Sequence, residues 1–183
     1  MKGRGSVAEM KAKANRLHLA HEDMVEARGY LQSLEELTSV IEKYDLSFFL
    51  IDAIPAVFIA LIIVYARPFV SSYSKGMADP KLDPESIQLF DNDSELEILH
   101  QRLIGLRNTA VAHSDWTWHN TELITNDKQF GLKRKHSRPD YMDGIDISLL
   151  GRLIEHVEAA TRGSAYDMDV YYQAEIERTD GTK

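Results

Sequence analysis

The segment that most constrains the fold of this chain is residues 46–65, LSFFLIDAIPAVFIALIIVY, which contains thirteen Leu, Ile, Val and Phe residues. Such a run can cross about 30 Å of hydrocarbon, so it is either a membrane span or a helix covered by protein on every side. Asp52 would cost about 2.5 to 3.5 kcal/mol at the centre of a membrane helix. Pro55 also lies inside the run, and no second span or polybasic flank accompanies it. The balance favours the central helix of a bundle, with no stable membrane association, over a membrane anchor through residues 46–65.

The rest of the composition suits such a bundle. The chain has 183 residues, 44% hydrophobic and 27% charged, which supports one domain spanning 1–183 with a sizeable core. Its formal net charge of -8 argues against a sequence-independent polyanion binder, which would spread Lys and Arg over a broad surface. Any nucleic acid must therefore meet a local basic site. There is no Cys, hence no disulfide, no Cys-ligated zinc and no thiol nucleophile. That pattern suits a reducing compartment, and a cytoplasmic location is the expectation. No apolar stretch follows the first basic residues, so a cleaved secretory signal is not expected.

Helical periodicity runs from about residue 7 to Tyr44. Met10, Ala14, Leu17, Met24, Leu31, Leu34, Leu37 and Ile41 form the stripe, His21 and Arg28 fill the intervening slots, and Gly29 is a candidate interruption. After the apolar helix, residues 74–93 read as a flexible loop rich in Ser, Pro and acids. Asp93 or Ser94 suits an N-cap, and Leu96, Leu99, Leu103, Leu106 and Ala110 carry a third helix to near His113. Residues 116–138 read as a small hairpin insertion, with strands roughly Thr117 to Thr125 and Gln129 to Lys133 around Asn126-Asp127. Asp146 or Ser148 opens a last helix bearing Ile147, Leu150, Leu153, Ile154, Val157 and Ala160, reaching about Ile176. The predicted fold is all-α, an up-and-down bundle of about four long helices with a small β-hairpin insertion after the third.

The most distinctive stretch, LHQRLIGLRNTAVAHSDWTWHN, places Arg107, Asn108 and His113 at the end of the third helix. Arg, a polar residue, four more residues and His at a helix end resemble the signature of the HEPN superfamily. LRNTAVAHSD, together with YARPF at Tyr65 to Phe69, looks like the HEPN-like proteins of abortive-infection and toxin-antitoxin loci. Arg16 and His21 repeat a related spacing, with nonpolar Leu17 in the polar slot.

The resemblance implies metal-independent cleavage of RNA through its own 2'-hydroxyl. Such chemistry needs a proton acceptor, a phosphate-holding cation and a proton donor for the leaving oxygen. In that picture His113 does the proton work or orients the 2'-hydroxyl, Arg107 holds the scissile phosphate and Asn108 orients both. Residues six apart on a helix lie about 9 Å apart along the axis and about 120° around it. Two copies would therefore build one composite site as a homodimer, with RNA as substrate and an antitoxin protein as a further partner. No cofactor is implied.

A structural reading stays open beside it. His113 continues the leucine stripe and fits a buried, hydrogen-bonded histidine, Arg107 fits a partner for Asp52 or another acid, and many HEPN-like domains are noncatalytic binders. His100, His113 and His119 have spacings that match no standard zinc site, so no metal is expected. Lys133, Arg134, Lys135 and Arg138 form the one dense basic cluster, either a guide for RNA phosphates or a solvated loop. Trp116 and Trp118 beside it either stack on bases or pack, and Tyr166, Tyr171 and Tyr172 read as packing or dimer contacts.

Overall fold

The computed structural model describes residues 7–44, 53–70, 73–74, 77–78, 81–91, 93–111, 121–126, 129–134 and 142–180. Four α-helices dominate them: α1 (Val7–Tyr44), α2 (Ala53–Ala66), α3 (Ser94–Val111) and α4 (Ile147–Asp180). The fold is mostly helical and all-α in class. α1 packs against α2 and α4, and α3 packs against the same two, which closes a four-helix ring around one core.

Ion pairs and hydrogen bonds set the directions. His18 meets Asp169 at 2.8 Å and Arg28 meets Glu158 at 2.9 Å, so α1 and α4 run antiparallel. Asp93 meets Arg152 at 3.5 Å, while Arg102 donates to the Gly144 carbonyl at 2.7 Å and to that of Asp143, so α3 and α4 are antiparallel too. Arg67, just past the C-terminal end of α2, reaches Asp23 in the N-terminal half of α1 at 2.6 Å. These contacts make α4 antiparallel to both α1 and α3 and place the C-terminal end of α2 beside the N-terminal half of α1.

α1 is continuous through Gly29, contrary to the interruption anticipated there. A Cβ at Gly29 would meet nothing within 4 Å, so the glycine makes no close packing contact. The buried seam of α1 is Met10, Ala14, Leu17, Ala20, Met24, Ala27, Leu31 and Leu34. Ala20 and Ala27 occupy the slots assigned from the sequence to His21 and Arg28. Those two lie one position round the helix; Arg28 is exposed and His21 half-buried. Gly151 of α4 packs against α1, since a Cβ there would sit 3.4 Å from Leu31.

α2 buries Phe58, Leu61, Ile62, Val64, Tyr65 and Ala66, as a central bundle helix should. Pro55 falls in its first turn, where the missing N–H costs no helical hydrogen bond. Coverage is incomplete on one side, where Ile63 is exposed. Among the described residues no helix is long and apolar enough to cross a membrane. The chain leaves α2 through a 3-10 turn, Arg67–Phe69. The Pro68 carbonyl accepts from Leu82 N–H at 2.7 Å and from the Arg16 guanidinium at 2.6 Å, so the helix end is not left unsatisfied.

Within the loop expected over 74–93, residues 81–91 are tied to the core. Leu82 and Leu89 are buried, a 3-10 turn spans Pro84–Ile87, and His156 Nε2 donates to the Leu89 carbonyl at 2.5 Å. Gln88 closes the turn with φ 52°, in the left-handed region. Upstream, Tyr73–Ser74 (β1) pairs antiparallel with Met77–Ala78 (β2).

Asp93, rather than Ser94, caps α3 through its Oδ1, which accepts from Leu96 N–H at 3.1 Å. Asp146 caps α4, accepting from Ser148 N–H at 2.8 Å and Leu149 N–H at 3.2 Å. Between α3 and α4, the backbone of Thr121–Asn126 (β3) pairs antiparallel with Gln129–Arg134 (β4), with Leu123 opposite Leu132.

Candidate functional site

One mixed-charge cleft of about 450 Å³ opens where α1, the end of α2 and the end of α3 converge. α1 contributes Arg16, Leu19, Glu22, Asp23 and Glu26; the α2 end contributes Ile63, Arg67 and Val70; α3 contributes Arg107. Helical spacing explains the α1 set, since residues 16, 19, 22, 23 and 26 recur at steps of three and four along one flank.

Arg107 is half-buried and donates from a guanidinium nitrogen to Asn108 Oδ1 at 3.1 Å. It meets no carboxylate among the described residues. The pairing with Asp52 anticipated as one alternative involves a residue outside those described. Two of the three residues of the sequence motif are thus hydrogen-bonded to each other, and Arg107 faces the cleft. His113 lies outside the described residues, two positions beyond the last described residue of α3.

The other cationic wall is Arg67. It bonds Asp23 at 2.6 Å and reaches Glu26 at 3.4 Å. Burial works against the Arg67 charge, but the two carboxylates outweigh it and hold its pKa above the ordinary arginine value. For Asp23, desolvation outweighs the attraction of Arg67 and raises its pKa. Arg16 anchors the 3-10 turn through Pro68.

His100, one of three histidines weighed as metal ligands, is instead a core residue. Its Nδ1 lies 2.8 Å from the Tyr65 hydroxyl, and the Phe69 and Phe90 rings pack at 4.6 and 5.0 Å between centroids. Burial pushes its pKa down from 6.5 to about 4, so the ring is neutral at pH 7 and shares a hydrogen bond with the Tyr65 hydroxyl. Among the described residues no group of His, Asp and Glu is arranged to hold a metal ion. His119 lies outside them, as do Trp116 and Trp118.

In the basic cluster, Lys133 and Arg134 close β4, opposite Glu122 and Thr121 respectively in register. Lys135 and Arg138 fall outside the described residues. Tyr166 and Tyr171 are exposed on α4, so they do not pack into the core of a single chain. The site residues that sequence reasoning missed are Glu22, Asp23 and Glu26, together with Arg67, which drew notice only as part of YARPF. No local motif marks them, because their relationship exists only once α2 folds back onto α1.

No family model, curated protein or solved structure matches this chain.

Proposed function

We propose that the cleft is the phosphate-holding half of a metal-independent endoribonuclease site of the HEPN type, completed by His113 and by a second copy of the chain. The observation that carries this reading is Arg107, a half-buried guanidinium facing an open cleft and bonded to Asn108, with no carboxylate partner among the described residues. An arginine so held offers a permanent, forked donor set at a fixed position, which suits a phosphate. Arg16 and Arg67 add cationic charge to the same cleft.

In the reaction, the 2'-oxygen attacks the adjacent phosphorus as its proton passes to a base, and the bond to the 5'-oxygen breaks. That oxygen takes a proton, leaving a 2',3'-cyclic phosphate and a 5'-hydroxyl. Arg107 stabilises the charge gathering on the phosphoryl oxygens, His113 moves the proton, and Asn108 holds Arg107 in place. Lys133, Arg134, Lys135 and Arg138 guide the flanking phosphates toward Arg107. A defence or toxin-antitoxin setting, with an antitoxin protein as partner, belongs to the same reading.

The test is cleavage of single-stranded RNA in EDTA by the wild type, Arg107→Ala and His113→Ala. Loss of cleavage in both variants supports the reading. Equal activity in all three, or none in the wild type across varied RNAs, rejects it.

One observation favours a noncatalytic interaction module instead. Glu22, Asp23 and Glu26 share the cleft with the arginines and repel a polyanion. That reading expects His113→Ala to lower thermal stability with no RNA phenotype, since removing a buried hydrogen-bonded group costs about 1 to 3 kcal/mol.

A further inference from the structure

Glu22 stands apart from the other charged residues of the cleft. Asp23 and Glu26 are engaged by Arg67, Arg16 by the Pro68 carbonyl and Arg107 by Asn108. Glu22 is exposed, lines the same cleft, and makes no hydrogen bond or ion pair among the described residues. An unmatched carboxylate and an arginine without a carboxylate thus line one cavity without neutralising each other. The same cavity is lined by apolar side chains, Leu19 at 52% exposure and Ile63 at 37%, with half-buried Val70.

We propose that Glu22 reads the base of a bound nucleotide and selects guanine, its ring resting on Leu19, Ile63 and Val70 and its phosphate on Arg107. The inference rests on the reading of Arg107 as a phosphate holder. A ligand that uses all three features of the lining needs an anionic group for Arg107, an apolar body and hydrogen-bond donors for Glu22. Among the bases, guanine alone offers two adjacent donors, N1–H and the 2-amino group, which match the two oxygens of a carboxylate as charge-assisted hydrogen bonds. Adenine and cytosine present one amino group beside an acceptor, and uracil presents one N–H between two carbonyls that repel Glu22. The cleft volume of about 450 Å³ lies within the range of small-molecule sites, about 300 to 1,000 Å³. Glu22, one of the carboxylates that weaken the cleft as a general polyanion site, thereby becomes a source of base selectivity.

The test is equilibrium binding of 5'-GMP, 5'-IMP and 5'-UMP to the full chain by calorimetry, for the wild type, Glu22→Gln and Arg107→Ala. The wild type should bind GMP about tenfold or more tighter than UMP, by analogy with bidentate base contacts elsewhere. IMP, which lacks the 2-amino group, should fall between them. Glu22→Gln should bring GMP and UMP together, and Arg107→Ala should weaken both alike. Absence of nucleotide binding, equal affinities in the wild type, or a preference unchanged in Glu22→Gln would each overturn the inference. Binding needs no catalysis, so a Glu22-dependent preference without RNA cleavage rejects the nuclease and keeps the base reader. Cleavage without that preference does the reverse.

Discussion

His100 makes the stability of the bundle sensitive to acid, and the size of the effect can be worked out. Its ring is buried among Tyr65, Phe69 and Phe90, and its pKa falls from 6.5 to about 4 because burial penalises the imidazolium. The folded protein therefore binds fewer protons at this site than the unfolded chain between those two values. Stability conferred by the neutral ring is fully present above pH 6.5 and is lost as the pH falls toward 4. At about 1.36 kcal/mol per pH unit, the loss across that window is about 3 kcal/mol. This is a large share of the roughly 5 to 15 kcal/mol that stabilises a typical domain. Urea unfolding at steps from pH 7.5 to 4 should show this slope in the wild type. His100→Asn, which keeps an acceptor near Nδ1 and does not titrate in this range, should be less stable at pH 7 but should lose less on acidification. Parallel pH profiles for the two proteins would refute the burial argument.

Other substitutions probe separate parts of the structure. Gly29→Ala should raise stability by about 0.5 to 1 kcal/mol in chemical denaturation, because the glycine sits inside a helix with open space at its Cβ position. Asp93→Ala and Asp146→Ala should each cost about 1 kcal/mol in the same assay through loss of an N-cap. Arg28→Ala should destabilise more than the double change Arg28→Ala with Glu158→Leu, since the single change strands a buried carboxylate. Phe58→Ala, emptying a fully buried site in α2, should cost about 3 to 5 kcal/mol and lower the melting temperature accordingly.

The helices were legible because apolar residues recur at three and four and because Asp caps declare helix starts. The bounds of α1 and the capping roles of Asp93 and Asp146 follow from those signals. The α1 seam was only half legible. Ala20 and Ala27 carry little hydropathy, so the pattern leads into the slots of His21 and Arg28, although the alanines are the residues buried. Pro55 read as an obstacle within a long run, yet a first-turn position makes it compatible with α2. The cleft was least legible. Arg107 and Asn108 adjoin in sequence, whereas the Arg67–Asp23 pair joins residues 44 positions apart and needs α1 and α2 to fold together. The sequence spacing of His100 argued against a metal site but left its actual role open, because imidazole chemistry is ambiguous in a sequence. Burial beside Tyr65 decides its role.

The proposed cleavage of RNA through the substrate's own 2'-hydroxyl, with Arg107 holding the phosphate, can be tested at the level of the products. The measurement is mass spectrometry of fragments formed from a defined single-stranded RNA in EDTA by the 183-residue chain and by its Arg107→Ala variant. Fragments ending in 2',3'-cyclic phosphate and beginning with 5'-hydroxyl, absent with Arg107→Ala, are the predicted result. Intact RNA, the same fragments from both proteins, or 5'-phosphate ends would contradict it.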